Sequence, residues 1–170
     1  MELHFTTIHD QSPGVLASLL KRSYAALVAA DPVHWGPETP RWEQFDREAF
    51  ANPGTVGACV FLSWLGDELV GFGSYDPRQR PVYGIVGHNC VLPEFRGKGL
   101  GKRQIREILR RFRSMGMQAA RVSTNDHALF LPAQRMYIAC GFRETGRRPW
   151  PGDPSQAVIE YAMDLRQPAG

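Results

Sequence analysis

The sequence has no long hydrophobic run and few cysteines. None of its apolar stretches approaches the roughly 20 residues that a membrane-spanning helix needs. No basic region precedes an apolar stretch at the N-terminus, so we expect neither a membrane anchor nor a signal peptide. The three cysteines, Cys59, Cys90 and Cys140, are scattered through apolar segments. Their number and spacing argue against a disulfide or zinc framework and predict reduced thiols in a cytoplasmic protein.

A strong charge of one sign is also absent. The formal net charge is +3 at pH 7, which does not by itself indicate a nucleic-acid partner. Neither His34 nor His127 has a second ligand at helical or turn spacing, so we predict no metal site. A chain of 170 residues is most simply one domain, and we expect residues 1–170 to form a single domain with one core.

What the sequence does contain is a glycine-rich segment, residues 96–102, which reads Arg-Gly-Lys-Gly-Leu-Gly-Lys. It lies between a strand-like run and a strongly amphipathic helix. Glycines at alternate positions let backbone N–H groups approach a ligand closely. The first N–H groups of the following helix have no partner within the helix and carry partial positive charge. The segment therefore predicts an anion site, with phosphate the first choice; a glycine-rich turn before a basic helix is the alternative.

Two common phosphate loops do not fit this segment. A Walker A loop needs four residues before its Gly-Lys pair and then Ser or Thr. Here three residues separate Gly97 from Gly101, and Arg103 follows Lys102. A dinucleotide-binding fingerprint needs glycine at its sixth position, where this chain has Lys102. The pattern that remains is Arg-x-x-Gly-x-Gly.

That pattern, formed by Arg96, Gly99 and Gly101, resembles the acyl-CoA pyrophosphate loop of the GNAT superfamily of N-acetyltransferases. The lead-in at residues 91–95, Val-Leu-Pro-Glu-Phe, resembles the same family's strand end. A second block, residues 133–142, is similar to the family's Ala-x-x-x-Tyr-x-x-x-Gly-Phe segment. Both blocks lie in the C-terminal half of the chain.

Hydrophobic periodicity and turn signals predict the order strand, two helices, three strands, helix, strand, helix and two strands. The first helix is expected to be capped by Asp10 or Ser12 and to run to about Ala30. The other predicted helices are at about 41–51, 99–114 and 131–140; the predicted strands are at 3–8, 56–65, 68–75, 82–92, 118–124, 142–147 and 157–165. A hairpin is expected at Gly66-Asp67, and a parallel crossover between residues 82 and 124. The resemblance implies an α/β (α+β) fold with this element order: a GNAT-like mixed, mostly antiparallel sheet of about six to seven strands flanked by about four helices.

The resemblance also implies acetyl-CoA as co-substrate, without a metal. The backbone of Asn89, Cys90 and Val91 would bind the pantetheine arm. The pyrophosphate would be held by the loop, whose residues are Arg96, Gly97, Lys98, Gly99, Leu100, Gly101 and Lys102, with Lys98 and Lys102 adding charge-assisted contacts. Many family members carry Asn about seven residues before the tyrosine, where this chain has Phe130. Asn125, further upstream, is therefore the candidate for that contact with CoA.

The implied reaction is direct attack of a primary amine on acetyl-CoA in a ternary complex, which needs a base, an oxyanion donor and an acid. Tyr137 is the candidate acid for the leaving thiolate, because a free tyrosine has a pKa near 10. The N–H of Val91 is the candidate oxyanion donor, and His88 is the leading candidate base. Glu94, Asp126 or a water are alternative bases, and purely structural roles stay open for Tyr137 and His88.

The acceptor, a small-molecule or peptide amine, is not identified by the sequence. Trp35, Trp42 and Phe45 are candidates either for lining its pocket or for the core. A non-catalytic acyl-CoA sensor is one alternative function. A nucleic-acid-binding module is another, using the basic helix at 102–113 with its arginines Arg103, Arg106, Arg110 and Arg113. No membrane partner is expected, nucleic acid is disfavoured for want of a reader motif, and a homodimer is left open.

Overall fold

The computed structural model of the chain describes residues 1–166. Within them the strands are β1 (Leu3–Thr6), β2 (Val60–Leu65), β3 (Glu68–Asp76), β4 (Tyr83–Val91), β5 (Ala119–Asn125), β6 (Arg143–Trp150) and β7 (Asp153–Asp164). The α-helices are α1 (Val15–Ser23), α2 (Ala25–Ala30), α3 (Pro32–Trp35), α4 (Glu38–Ala51), α5 (Leu100–Ser114) and α6 (Leu131–Ala139). Short 3-10 turns lie at Gly57–Cys59, Pro93–Phe95 and Ala128–Phe130.

The strands form one seven-stranded sheet in the order β1-β2-β3-β4-β5-β7-β6. Antiparallel pairing joins β1 to β2, β2 to β3, β5 to β7 and β6 to β7, whereas β4 and β5 are parallel. The parallel pair is connected through α5, as a strand-helix-strand crossover requires. The mixed, mostly antiparallel sheet expected from the sequence is confirmed, and so is the hairpin, where Leu65 pairs with Glu68 across Gly66-Asp67.

The chain divides into two compact units. The first contains Met1–Ser74 and His88–Gln104. Its main core lies among α1, α4 and strands β2 to β4, and includes Ile8, Leu16, Leu20, Trp42, Leu62, Phe72, Cys90 and Leu92. The second unit contains Tyr75–Gly87 and, among the described residues, 105–166. It buries the apolar face of α5, with Ile105, Ile108, Leu109 and Phe112 each at most 3% exposed. A single domain over the whole chain stays a prediction.

The helices differ from the prediction in number and in capping. The predicted helix ending near Ala30 is interrupted at Tyr24 (φ −110°, ψ 12°), which separates α1 from α2. Between the first two predicted helices, where none was predicted, lies α3, whose first turn is capped by Asp31 accepting from the His34 N–H. Six α-helices therefore occur within residues 1–166, where about four were expected.

Neither Asp10 nor Ser12 caps α1; that prediction is wrong. The N-cap residue is Gly14, and the acceptor for the helix start comes from α4. Asp46, which is buried, accepts from the N–H groups of Gly14 (2.7 Å), Leu16 (2.8 Å) and Ala17 (3.1 Å). A carboxylate distant in sequence thus satisfies the orphan donors that a local cap normally satisfies.

The last two strands are longer than predicted, and the loop between them is shorter. Strand β6 reaches Trp150, β7 begins at Asp153, and these two residues pair across Pro151-Gly152. Gly152 has a φ of +88°, which suits a tight turn. Pro149 has no N–H to donate to a neighbouring strand, and it is tolerated because β6 is an edge strand of the sheet.

Candidate active site

The glycine loop leads into the N-terminus of α5, as predicted. Gly97 and Gly99 have φ of +76° and +75°, and a Cβ added at either would meet nothing within 4 Å. The Arg103 N–H donates to the Gly99 carbonyl at 3.1 Å, so the intrahelical bonds begin at Arg103. The N–H groups of Leu100 and Gly101 lie earlier in the first turn of α5, where an α-helix supplies no intrahelical acceptor. Backbone donors, helix polarity and open space therefore coincide, as an anion site needs.

Arg96 braces this loop. Its Nε donates to the Val91 carbonyl at 3.0 Å, and its Nη2 donates to the Ser23 carbonyl at 2.5 Å. These bonds tie the lead-in turn to β4 and to the end of α1. Lys98 places its Nζ 5.4 Å from the centre of the Phe95 ring. Cofactor contacts by Arg96 and Lys98 stay predictions.

Gln104 was not singled out from the sequence, yet it joins α5 to the strands beside the loop. The side chain is fully buried. Its Nε2 carries two N–H groups and lies 2.7 Å from Asn89 Oδ1, 3.2 Å from the Phe72 carbonyl and 3.3 Å from the Cys90 carbonyl, so two of these acceptors share one N–H. The signal in the sequence is a polar residue four positions before Ile108, on the face of α5 that is otherwise apolar.

Cys90 lies in β4 among the residues predicted to bind the pantetheine arm. The side chain is buried, and burial raises the pKa of its thiol to about 11. At neutral pH the group is therefore a thiol, which is a poor nucleophile.

His88 lies in β4 against aromatic side chains. Its ring centroid is 4.7 Å from that of Phe45, edge to face, and 6.5 Å from that of Phe72. The Ser74 hydroxyl donates to the His88 backbone carbonyl at 3.0 Å. Burial lowers the pKa of the imidazole below its ordinary 6.5, because an apolar surrounding disfavours the charged ring. His88 is therefore neutral at pH 7 and chemically able to accept a proton.

The alternative carboxylate bases have partners. Glu94 is exposed and pairs with Arg22, with 3.0 Å between Oε1 and Nη2. Asp126 accepts from the Ala157 N–H at 2.9 Å, next to the end of β5. Both carboxylates thus have a structural explanation, and the choice of His88 as base stays a prediction.

Tyr137 lies in the second unit and is buried. Its ring centroid is 6.0 Å from that of Phe142 and 5.7 Å from that of Tyr161. Burial raises the pKa of its phenol well above the ordinary value of 10. The sequence argument used the pKa of a free tyrosine, near 10, whereas desolvation disfavours the phenolate and makes Tyr137 a weaker acid than that argument assumed. The phenol stays protonated throughout the usual working range of pH, as a proton donor must.

Asn125 closes the turn that follows β5. It is 1% exposed; its Nδ2 donates to Gln156 Oε1 at 2.9 Å, and its Oδ1 accepts from the His127 N–H at 2.6 Å. Its backbone carbonyl accepts from Gln134 Nε2 at 3.1 Å. Both ends of the amide are thus bonded within the second unit, and a contact of Asn125 with CoA stays a prediction.

The aromatic residues proposed for an acceptor pocket differ in burial. Trp35 and Trp42 are 4% and 5% exposed, and Trp42 stacks on Tyr24 with ring centroids 5.5 Å apart. Such burial favours the core role for both tryptophans. Phe45 is only partly buried and contacts His88, so it remains the better candidate for touching an acceptor.

Features that would indicate other functions are weak. The predicted basic stripe is partly neutralised, because Arg110 bonds to Glu107 through Nε and Nη2 at 2.8 Å each. Across residues 1–166 no group of three or more His, Cys, Asp or Glu side chains is placed to hold a metal ion. In that same span no helix has the length and apolarity needed to cross a membrane.

Residues 21–142 match the Acetyltransferase (GNAT) family. The chain belongs to this family, and the resemblance seen in the sequence is confirmed. A search of curated proteins returned no significant match.

Solved structures show the same fold at low sequence identity. An aminoglycoside 6'-N-acetyltransferase from Enterococcus faecium has a TM-score of 0.70 at 17% identity, covering 98% of this chain and 99% of that one. The ribosomal-protein-S18-alanine N-acetyltransferase from Escherichia coli has a TM-score of 0.69 at 14% identity, with 99% and 97% covered. A Bacillus subtilis acetyltransferase in complex with CoA has a TM-score of 0.64 at 16% identity, with 96% and 99% covered.

Proposed function

We propose that this protein is an acetyl-CoA-dependent N-acetyltransferase that moves an acetyl group to a primary amine. The observation that carries the proposal is the loop of left-handed glycines at the N-terminus of α5, with open space beside Gly97 and Gly99. The backbone N–H groups of this first helical turn suit the pyrophosphate of CoA. Membership of the family supports the acyl donor, and the CoA complex of the Bacillus subtilis protein agrees with it.

The pantetheine arm is proposed to bind along the later part of β4. The parallel pairing of β4 with β5 runs from Tyr83 to Ile85, and β4 then continues to Val91. An arm laid along the backbone of Asn89 to Val91 would leave the thioester at the end of this strand. The pyrophosphate would then lie at residues 96–102, which follow the strand directly.

The chemistry is proposed to proceed without an acyl-enzyme. The protonated thiol of Cys90 argues against a covalent intermediate on that residue. The amine nitrogen instead attacks the thioester carbon, and neutral His88 takes the proton that the nitrogen loses. The N–H of Val91 donates to the developing oxyanion. The carbon–sulfur bond then breaks, and the CoA thiolate takes a proton from Tyr137. Before the next cycle His88 releases its proton to solvent and the phenolate of Tyr137 is reprotonated.

The acceptor is proposed to be an amine, without a narrower assignment. The two N-acetyltransferases named above act on an aminoglycoside and on the alanine of a ribosomal protein, according to their names, so this fold accommodates small and peptide acceptors. A cytoplasmic location accompanies the proposal, because none of Cys59, Cys90 and Cys140 forms a disulfide, as expected in a reducing compartment. A homodimer stays a prediction.

The test begins with binding. Isothermal titration with acetyl-CoA and with CoA should give saturable binding, and both ligands should raise the Tm because they bind only the native state. Sodium acetate should do neither. No heat of binding and no Tm shift at millimolar acetyl-CoA would reject the proposal.

Turnover separates an enzyme from a sensor. Release of CoA should be followed with kanamycin, spermidine and an alanine-initiated peptide as acceptors. Amine-dependent release above the rate of hydrolysis supports the transferase. Tight binding with no release on any primary amine tested would favour a non-catalytic acyl-CoA sensor.

A further inference from the structure

Gln104 has no part in the mechanism above, although it lies one helical turn beyond the glycine loop. Its Nε2 reaches the Cys90 carbonyl, the Phe72 carbonyl and Asn89 Oδ1 at 3.3, 3.2 and 2.7 Å. Its Oε1 is buried and has no hydrogen-bond partner among the described residues. Burying an unmet acceptor is unfavourable. An apolar side chain at this position would avoid that cost. The presence of a glutamine is therefore explained by the acceptors to which its Nε2 donates.

The contact with Cys90 bears on the next residue. The Cys90 carbonyl and the Val91 N–H belong to one planar trans peptide and point in opposite directions. Holding the carbonyl toward Gln104 therefore also sets the direction of the Val91 N–H. Gly71 allows this orientation, because a Cβ at that position would collide with the Cys90 carbonyl oxygen.

The following peptide is held as well. The Val91 carbonyl accepts from Arg96 Nε at 3.0 Å, and the Leu92 N–H donates to the Val70 carbonyl at 2.8 Å. On the other side of Val91, the carbonyl of the Cys90–Val91 peptide has its side-chain contact with Gln104. Val91 thus lies between two peptides whose carbonyls both bond to side chains, which is a rigid setting for a backbone donor.

We propose that Gln104 is a positioning residue: it holds the Cys90–Val91 peptide so that the Val91 N–H donates to the acetyl carbonyl oxygen. The inference rests on the proposed function, since it needs acetyl-CoA bound along β4. Through Gln104, the end of α5 that would bind the pyrophosphate also positions the donor to the reacting carbonyl. Gln104 would contact neither substrate, and it acts through the peptide.

The test uses the thioester carbonyl of acetyl-CoA as the probe, so that no acceptor needs to be known. Difference infrared spectra with [1-13C]acetyl-CoA report hydrogen bonding to that carbonyl as a shift to lower frequency. In the wild-type protein we expect a bound band below that of acetyl-CoA in water. Gln104→Met keeps the length of the side chain without its donors, and should return the band toward higher frequency while the Kd for CoA changes by less than about threefold.

Two further variants make the result decisive. Gln118→Met is the matched control, since Gln118 is exposed and precedes β5; it should leave band and Kd unchanged. If Gln104→Met does not fold, Gln104→Leu, which also lacks a donor, is read in the same way. With an active acceptor, kcat should fall at least about tenfold in the Gln104 variants. Removing an oxyanion donor outright typically lowers kcat about 10²–10³-fold.

Each remaining outcome is contrary to the inference. An unshifted wild-type band, or the same shifted band in Gln104→Met, would show that Gln104 does not orient the donor. A loss of CoA affinity above about tenfold would show that Gln104 supports the binding loop instead. If neither variant folds, Gln104 is a folding residue. Absence of CoA binding in the wild type would reject the proposed function itself.

Discussion

A pair of glycine substitutions tests whether the loop before α5 binds a ligand. Gly99 precedes this helix with φ +75°, and Gly116 follows it with φ +74°. A Cβ added at either position would meet nothing within 4 Å. Alanine at the two positions should therefore meet the same conformational penalty and no steric one. Gly99→Ala and Gly116→Ala form a matched pair, of which only the first changes the proposed pyrophosphate site.

The expected cost to stability follows from the backbone angles. A non-glycine residue in the left-handed region loses about 1–2 kcal/mol. For a protein of this size, 1 kcal/mol shifts the Tm by about 2–4 °C, so each variant should melt about 2–8 °C lower than the wild type. The two shifts should be similar, because the two φ values are similar.

The affinity for CoA should separate the two variants. In Gly99→Ala the added methyl group occupies the space from which the pyrophosphate would approach, and we expect the Kd for CoA to rise at least about tenfold, or 1.4 kcal/mol. Gly116→Ala should bind as the wild type does. Isothermal titration at a temperature where both variants are folded measures this difference. If the two bind CoA equally well, the loop is only a turn and the anion-site argument fails.

Three other substitutions test separate parts of the account. Tyr137→Phe should lower kcat by about 10²–10⁴-fold with little change in CoA affinity or Tm; because burial raises the pKa of Tyr137, the wild-type rate should show no loss from this group below pH 10, and an unchanged kcat would make the tyrosine structural. His88→Gln should abolish an acidic limb in kcat/KM whose pKa lies below 6.5, since burial lowers the pKa of His88; superimposable pH profiles would remove His88 as the base. Asp46→Ala should cost at least about 2 kcal/mol in urea unfolding, because the buried N–H groups of Leu16 and Ala17 and the partly buried one of Gly14 lose their acceptor, and a smaller loss would show that water replaces the carboxylate.

The features that the sequence predicted are those that depend on neighbours along the chain. The pattern of Arg96, Gly99 and Gly101 was sufficient to predict a loop of donors before α5, because every helix start leaves its first N–H groups without an acceptor inside the helix. The hairpin at Gly66-Asp67 and the crossover through α5 follow likewise from turn residues and periodicity. The family resemblance rested on these same local patterns.

The features that the sequence missed depend on residues that meet only in the folded chain. Asp46 caps a helix that begins some 30 positions earlier, since the pairing of α1 with α4 brings its carboxylate there. The pKa values of His88 and Tyr137 depart from their ordinary values because of burial, which a local pattern does not specify. In the sequence Gln104 is one polar residue on an otherwise apolar helix face. Only the packing of α5 against β3 and β4 shows which carbonyls its side chain contacts. The sequence by itself therefore determined the glycine loop at the start of α5 and predicted a phosphate site there. Tertiary contacts decided the protonation states and orientation of the groups around this loop, because desolvation and hydrogen-bond direction depend on the atoms that surround a group in space.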